Sequence, residues 1–304
     1  MSNSIKDKYL ADPARYAEEA YDSLQQRLLT IEYKYAKGVP KFENLFAFMA
    51  SAHENLGLLA YFAHGDMTAF KQHWYLATKL WLHASRHLPN KDYYMSGGED
   101  HFTLEWSFIH PLVSDNQALI NEAAALETPV LLMYRDNPKT IEFAFHIAQL
   151  VIRGDYEAAQ AKIAIGAKKA GSKMKQAYAN GNDFYSLLMK GDKAGLEDSL
   201  MNDLRNLKKN TFFTVSEFVY PIITLRTKLC WHKGIPVEIE HPMVPMAWMP
   251  IQPLPQYDDI YDFLSPNWQP PDQGFMARLS RKLQKSFPEI DACMERIRQV
   301  DRCS

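Results

Sequence analysis

Two histidines in "HASRH", His83 and His87, have the spacing that places two metal ligands on one face of a helix. The stretch lacks the glutamate of the zinc-protease pattern His-Glu-x-x-His, and the sequence does not require a third ligand. His87 also falls in the last turn before Pro89, where a histidine interacts favourably with the helix dipole. We therefore interpret the pair as ordinary helical residues and predict no metal site.

Three aspartates in "YDDIYDF", Asp258, Asp259 and Asp262, match the Asp-Asp-x-x-Asp pattern that holds magnesium and diphosphate in isoprenoid enzymes. In those enzymes the aspartates lie on a long helix and face a second metal motif. Here Pro255 and Pro266 confine the segment to a short helix at most, and the chain contains no partner motif. Because magnesium and diphosphate need more oxygen ligands than this, we predict that Asp258 and Asp259 cap and charge a short helix start.

The loop "SGGEDHFTLEW" combines two glycines with the acids Glu99, Asp100 and Glu105 and with His101. A carboxylate and a histidine together can perform acid–base chemistry. No nucleophile, phosphate-binding loop or nucleotide fingerprint accompanies them. We interpret the stretch as a connecting loop, and we predict that the protein is not an enzyme and needs no cofactor.

The charge pattern is more informative than these motifs, because residues 92–127 hold seven acidic side chains and no Lys or Arg. Acids of one sign mixed with aromatic residues are typical of a surface that steers and anchors a basic partner. The alternative, left open by the sequence, is that the acids lie on several faces of a folded helix pair. The predicted partner-binding residues are Glu99, Asp100, Glu105, Trp106 and Asp115.

The composition limits the class of protein. A net charge of −2 argues against a general nucleic-acid binder. The N-terminal residues have no apolar segment of the kind found in signal peptides, and the longest uncharged run is proline-rich and too short to span a bilayer. Three cysteines, Cys230, Cys293 and Cys303, form no even disulfide framework. These features predict a cytoplasmic protein with reduced thiols.

Helical periodicity dominates the chain and predicts an all-α fold, a helical-hairpin array or bundle. In the clearest example, Asp12 is a predicted N-cap, Pro13 the first helical residue and Gly38 the residue past the end. The apolar positions between them recur at alternating spacings of three and four, which predicts one buried stripe. They are Ala17, Tyr21, Leu24, Leu28, Ile31 and Tyr35.

A Gly–Asp phrase occurs three times, at 64–72, 153–161 and 190–198. In each, the glycine can end one helix in the left-handed conformation and the aspartate can cap the next. Generic helix–turn–helix connections explain the phrases, and a true helical repeat of the tetratricopeptide type is the alternative.

The stretch from Asn210 to Gly234 predicts one long amphipathic helix closed by the glycine. It is followed by "IPVEIE", residues 235–240, in which apolar Ile235, Val237 and Ile239 alternate with polar residues or proline. This pattern predicts one short, half-buried extended segment. Several prolines then lead into a short apolar element.

This ending, "KGIPVEIEHPMVPMAWM", resembles that of the immunity protein 49 family of bacterial polymorphic-toxin systems. The order of the upstream phrases "PLVSDNQALINEAAAL", "VIRGDYEAAQAKI" and "LLMKGDKAGLEDSLMNDL" is also similar. The resemblance implies an all-α antidote that binds a cognate toxin, and it carries no catalytic residue. The resemblance covers residues 40–264. We predict a helical immunity-like domain over residues 1–264, followed by a proline-rich linker and terminal basic helices at 265–304 that pack on the core.

In the terminal segment, Phe275, Leu279, Leu283 and Phe287 recur every four residues among basic side chains. Such a helix can bind membranes. Because another helical stretch follows it, we expect its apolar stripe to pack on the helical core and predict no membrane association.

Two functions remain as hypotheses. The first is a cytoplasmic immunity protein of the kind associated with type VI secretion, which neutralises a toxin by tight stoichiometric binding. The second is a helical-repeat adaptor that binds another protein, which the three Gly–Asp phrases favour.

Overall fold

A computed structural model describes residues 4–38, 45–86, 105–206, 214–265, 267–269 and 271–302. The fold is all-α, as predicted, and the described residues contain no β-strand. The chain divides into two compact units. Met1–His87 and Leu254–Ser304 make up the terminal unit, and Leu88–Pro253 make up the central unit. This division differs from the predicted boundary at residue 264, because the chain returns at Leu254 to the unit formed by its first helices.

The helices, in chain order, are α1 (Ile5–Ala11), α2 (Pro13–Lys37), α3 (Leu45–His64), α4 (Met67–Arg86), α5 (Ile109–Ser114), α6 (Gln117–Ala125), α7 (Pro129–Tyr134), α8 (Ile141–Arg153), α9 (Tyr156–Lys169), α10 (Ser172–Asn180), α11 (Phe184–Lys190), α12 (Lys193–Asn206), α13 (Val215–Phe218), α14 (Pro221–His232), α15 (Phe275–Leu283) and α16 (Pro288–Val300). Short 3-10 turns occur at Glu105–Phe108, Met246–Trp248 and Asp262–Leu264. The terminal unit contains α1 to α4, α15 and α16, and the central unit contains α5 to α14.

The terminal unit is built on α2, α3 and α4. The Asp12 side chain caps α2, and Gly38 ends it with φ of 68°, both as predicted. The predicted stripe is buried from Tyr21 to Tyr35, with Ala17 half-buried. α3 and α4 approach closely at Gly57, where an added Cβ would lie 2.6 Å from the Trp74 ring. A glycine is therefore required for Trp74 to be fully buried between the two helices.

The three Gly–Asp junctions have similar but not identical geometry. Gly65, Gly154 and Gly191 all have positive φ, as predicted for helix C-caps. Two of the three aspartates cap the next helix: Asp66 accepts from the Ala69 amide and Asp192 from the Gly195 amide. Asp155 makes no such bond and pairs with Arg153 instead.

The central unit surrounds α8, whose apolar side chains are almost all buried. α8 contacts α6, α7, α9, α11 and the 3-10 turn at Glu105–Phe108. α14 packs against α5, α12 and the same turn. Helices α8 and α14 therefore position most of the polar side chains considered below.

The prediction of a single long helix ending at Gly234 was wrong. In the described part of that stretch, α13 ends at Phe218 and α14 starts at Pro221. Proline cannot donate an amide hydrogen bond and disfavours helical conformation in the residue before it, so the helix breaks there. Tyr220, between the helices, is extended and its amide donates to the Met243 carbonyl at 2.8 Å.

The extended segment at 235–240 has the predicted alternation. Val237 and Ile239 are buried, while Pro236, Glu238 and Glu240 are exposed. The segment is held on α14 by the Trp231 indole nitrogen, which donates to the Val237 carbonyl at 2.9 Å.

A buried ion pair anchors the residues that follow. The Lys228 ammonium lies 2.6 Å from a carboxylate oxygen of Asp115, and neither side chain is exposed. Lys228 also donates to the carbonyls of Trp248, Met249 and Pro250 at 2.9 to 3.2 Å. The other Asp115 oxygen accepts from the Gln252 amide at 3.1 Å. The pair thus satisfies four backbone groups of a proline-rich segment whose helical structure is limited to the 3-10 turn at Met246–Trp248.

The orientation of α15 differs from the prediction. Phe275, Leu279 and Leu283 are 72%, 38% and 71% exposed instead of lying against the core. α15 does pack on α2, but it does so through its arginine side, where Arg281 pairs with Glu32. Packing of the apolar stripe on the core was the reason for predicting no membrane association, and α15 does not show that packing.

Replacing Lys228 with methionine should destabilise the central unit by about 3 kcal/mol or more, because the Asp115 carboxylate would be left buried and unpaired. Lys193→Met in α12 is a matched control, since Lys193 is 46% exposed and lies 3.6 Å from Glu197. The control substitution should lower the free energy of unfolding by less than about 1 kcal/mol. Urea denaturation followed by circular dichroism measures both, and equal losses would contradict the role assigned to the buried pair.

Candidate functional site

A cleft of about 450 Å³ opens in the central unit. Its walls come from α8, α10, α11, α12 and α14, together with the turn between α10 and α11. Aromatic rings and polar side chains share the lining. The residues are Ala144, Met174, Gln176, Ala177, Tyr178, Asn180, Asn182, Asp183, Phe184, Tyr185, Ser199, Asn202, Asp203 and Arg226.

Arg226 is held in a fixed position in the wall of this cleft. Its guanidinium makes a bidentate pair with Glu105 at 2.8 and 3.0 Å and a third bond to Asp203 at 3.1 Å. It also lies over the Phe184 ring, 4.9 Å from the centroid. Burial alone would lower the pKa of Arg226, but the Glu105 carboxylate outweighs burial and raises it. The arginine is permanently charged and already paired.

Two tyrosines give the cleft neutral walls. The Tyr185 hydroxyl donates to Glu105 at 2.7 Å, and burial together with that carboxylate raises the pKa of Tyr185 well above 10. Burial, with Asp183 nearby, raises the pKa of Tyr178 to about 12. Both phenols therefore stay protonated at neutral pH. The Tyr185 proton is already donated to Glu105, whereas Tyr178 can donate a hydrogen bond or contact apolar groups.

Asp183 supplies a carboxylate oxygen that lacks a partner. One oxygen of Asp183 caps α11 by accepting from the Ser186 amide at 3.1 Å. The other oxygen is buried and makes no hydrogen bond to the described residues. Such an oxygen is costly unless a donor reaches it.

Counting Glu105, Asp183 and Asp203 against Arg226, the cleft and its supporting carboxylate hold three negative charges and one positive charge. The arrangement suits a cationic group with an apolar stem, such as a lysine or arginine side chain.

The structure distributes the predicted partner-binding residues differently from the sequence-based expectation. Glu99 and Asp100 lie outside the described residues, and so does the side chain of Trp106. Glu105 is mostly buried beneath Arg226, and Asp115 is fully buried against Lys228. These two carboxylates hold other parts of the central unit in place, so their positions give no support to direct partner contact.

The other candidates do not form sites in the described residues. The His83 ring packs edge-on against Phe46, with centroids 4.5 Å apart, and His87 is not described. Asp259 accepts from Tyr75 at 2.8 Å and from Lys79 at 2.5 Å. Among the described side chains, no three His, Cys, Asp or Glu converge in a way that could hold a metal ion.

Asp258 and Asp262 are also separated by their contacts. Asp258 accepts from the Gln256 side chain at 2.6 Å, whereas Asp262 lies 3.6 Å from Arg296. The three aspartates therefore face different partners in a segment whose only helical element is the 3-10 turn at Asp262–Leu264.

A buried histidine pair connects helices of the terminal unit. The Nδ1 atoms of His53 and His73 are 2.9 Å apart. His53 Nε2 lies 2.6 Å from the Tyr261 hydroxyl, and His73 Nε2 lies 3.1 Å from Asp301, which also accepts from Tyr21. If Tyr261 donates to His53, His53 to His73 and His73 to Asp301, every bond is satisfied with two neutral imidazoles. Because both rings are fully buried, we interpret this network as structural.

Sequence reasoning missed most of the cleft residues, although two local signals were present. Asp183 follows the glycine in "NGND" as a helix N-cap, and Arg226 and Lys228 interrupt the apolar run of α14. Charged residues on an otherwise apolar helix require buried partners. Which carboxylates supply them could not be predicted, because Glu105 is 121 residues from Arg226 in sequence.

Comparison of the chain with protein-family models, with curated protein sequences and with solved structures found no match. The class that the structure defines is therefore an all-α protein. The resemblance to the immunity protein 49 family rests on the residues quoted above and stays a prediction. None of the described helices is long and apolar enough to cross a membrane.

The histidine network makes stability depend on pH. Burial, reinforced by His73, holds the pKa of His53 well below 6.5. The unfolded chain therefore takes up a proton near pH 6.5 that the folded chain refuses, so stability falls as pH drops below about 6.5. The contribution of His53 has a slope of up to about 1.4 kcal/mol per pH unit.

Urea denaturation of the wild type and of His53→Gln at pH 7 and pH 5 measures this contribution. The variant should lose less stability than the wild type over that interval, whatever its stability at pH 7. The pKa of His146 is also lowered, to about 4, so the wild-type loss has more than one source and only the difference between the proteins reports on His53. Equal losses in both proteins would show that His53 is protonated in the fold.

Proposed function

We propose that this chain is a cytoplasmic immunity protein that neutralises a cognate bacterial toxin by binding it stoichiometrically. The observation that carries the proposal is the acidic, aromatic cleft of the central unit, which suits a basic side chain of a protein partner. The ending at 233–249, similar to that of the immunity protein 49 family, also supports it.

In this proposal a lysine or arginine of the toxin enters the cleft. Its aliphatic stem would contact Tyr178, and its charged group would approach Asp183 and Asp203. Glu105 would act indirectly by keeping Arg226 paired and out of the way of the incoming cation. Burying a charged anchor among aromatic side chains is typical of residues that dominate a protein interface. Inhibition would follow because the bound antidote covers the toxin's active site or its substrate path.

Co-expression with the product of the neighbouring gene in a sensitive host tests the proposal, since an antidote gene should lie beside its toxin gene. The wild-type protein should restore growth and co-purify with that product. Failure of both would contradict the proposal.

Asn202→Lys tests the cleft itself, because Asn202 is exposed and lines it. A lysine there would repel an incoming cation and should weaken binding by about tenfold or more, most visibly at low salt. Asn121→Lys in α6 is the matched control, since Asn121 is exposed but does not line the cleft. Isothermal titration calorimetry of each variant with the product of the neighbouring gene gives the affinities to be compared. Rescue and binding unchanged by Asn202→Lys would leave the antidote function standing and exclude the cleft as the contact.

A helical-repeat adaptor is the second candidate function. The observation that favours it is the shared positive-φ glycine at the three Gly–Asp junctions. An adaptor would co-purify with a protein other than the neighbouring gene product and would give no protection against that product.

A further inference from the structure

The helix α15 has an apolar face that points away from the helix on which it packs. At about 100° per residue, Phe275, Leu279, Leu283 and Met276 fall in a sector of roughly 100° on the helix circumference. Phe275, Met276 and Leu283 are each more than 70% exposed. Every described side chain of α15 is at least partly exposed. A helix this amphipathic usually turns its apolar face inward.

Contacts with α2 explain why α15 has the opposite orientation. Arg281 makes an ion pair with Glu32 and lies 5.9 Å from the centroid of Tyr35. Arg278 packs against Gly38, where an added Cβ would lie 2.5 Å from its guanidinium. Arg281 lies on the side of α15 opposite the apolar sector, and Arg278 lies on its flank. Turning the apolar face inward would therefore break a long-range ion pair and expel both arginines from their sites.

The segment that carries the apolar face is basic between Asp272 and Glu289, the two exposed acids at its ends. Residues 273–288 contain four basic side chains and no Asp or Glu. Arg281 is paired with Glu32, whereas Lys282 and Lys285 are exposed. The exposed surface of this segment is therefore apolar and positively charged at once, the combination that lies in the interface of an anionic membrane.

We propose that α15 is a membrane-surface element that binds anionic lipid, with Phe275, Met276, Leu279 and Leu283 inserted among the acyl chains and Lys282 and Lys285 against the headgroups. A second copy of the chain fits less well, since joining two such faces would bring the lysines of both copies together. A protein groove fits less well too, because side chains more than 70% exposed project from the surface and need a matched cavity. A fluid acyl layer accommodates such side chains without a matched cavity.

Vesicle co-sedimentation of the full chain tests the proposal. The protein should sediment with phosphatidylcholine–phosphatidylglycerol vesicles, mixed at about three to one, and stay in the supernatant with phosphatidylcholine alone. Raising the salt concentration should reduce the sedimented fraction, because screening weakens the attraction of the lysines.

Two pairs of variants separate the apolar and electrostatic contributions. Phe275→Ser with Leu283→Ser should lower the partition coefficient by about tenfold or more. Leu132→Ser with Met133→Ser, exposed apolar residues in α7, should leave the partition coefficient unchanged.

Lys282→Gln with Lys285→Gln should also lower the partition coefficient by about tenfold or more, since each lysine near an anionic surface contributes about fivefold. Lys168→Gln with Lys169→Gln, both exposed in α9, is its control.

The outcomes are separable. The proposal is supported if the wild type and the two control variants bind anionic vesicles and the two α15 variants do not. No sedimentation of the wild type at low salt, equal binding to neutral vesicles, or α15 variants that bind like the wild type would overturn it. A protein partner whose capture the Phe275→Ser, Leu283→Ser variant abolishes, without vesicle binding, would assign the face to that protein and overturn it as well. The toxin rescue assay probes the cleft, so the two proposals fail independently.

Discussion

The ion pair between Lys228 and Asp115 is the interaction on which the central unit depends. Both side chains are fully buried, so each would be unstable without the other. Asp115 ends α5 with φ of 61°, and this left-handed conformation places its carboxylate within reach of α14 and of the Gln252 amide. The pair therefore joins a helix end, a helix middle and an extended segment that a helical ladder could not hold.

The same helix connects this anchor to the cleft. Arg226 and Lys228 are two residues apart on α14, so their side chains leave the helix about 200° apart. Lys228 reaches the segment around Trp248, while Arg226 reaches Glu105 and the cleft wall. A shift in the position of α14 would disturb both sets of contacts together. The acidic character of the cleft follows from this geometry, because Arg226 is already neutralised by Glu105 while the Asp183 carboxylate is not neutralised by any cation among the lining residues.

Local sequence patterns predicted the helices well and the charged contacts poorly. The caps of α2 and the alternation at 235–240 depend on neighbouring residues, and the structure confirms both. The acidic segment 92–127 was one candidate partner surface, yet two of its four described acids, Glu105 and Asp115, are paired with α14, and a third, Glu127, is paired with Arg135. The sequence alone shows that residues 92–127 contain no Lys or Arg. It does not show that a helix more than a hundred residues away supplies them, since that depends on tertiary packing.

The helix α15 shows the limit of periodicity most clearly. Spacing establishes that Phe275, Leu279 and Leu283 share a face, but it does not establish which way that face points. Hydrophobic burial favours the inward orientation, whereas the ion pair of Arg281 with Glu32 favours the outward one. The outward orientation leaves a large apolar area in water, a cost that one partly exposed ion pair does not offset by itself. A surface that removes those side chains from water would offset it, which is the physical reason for assigning α15 a lipid partner.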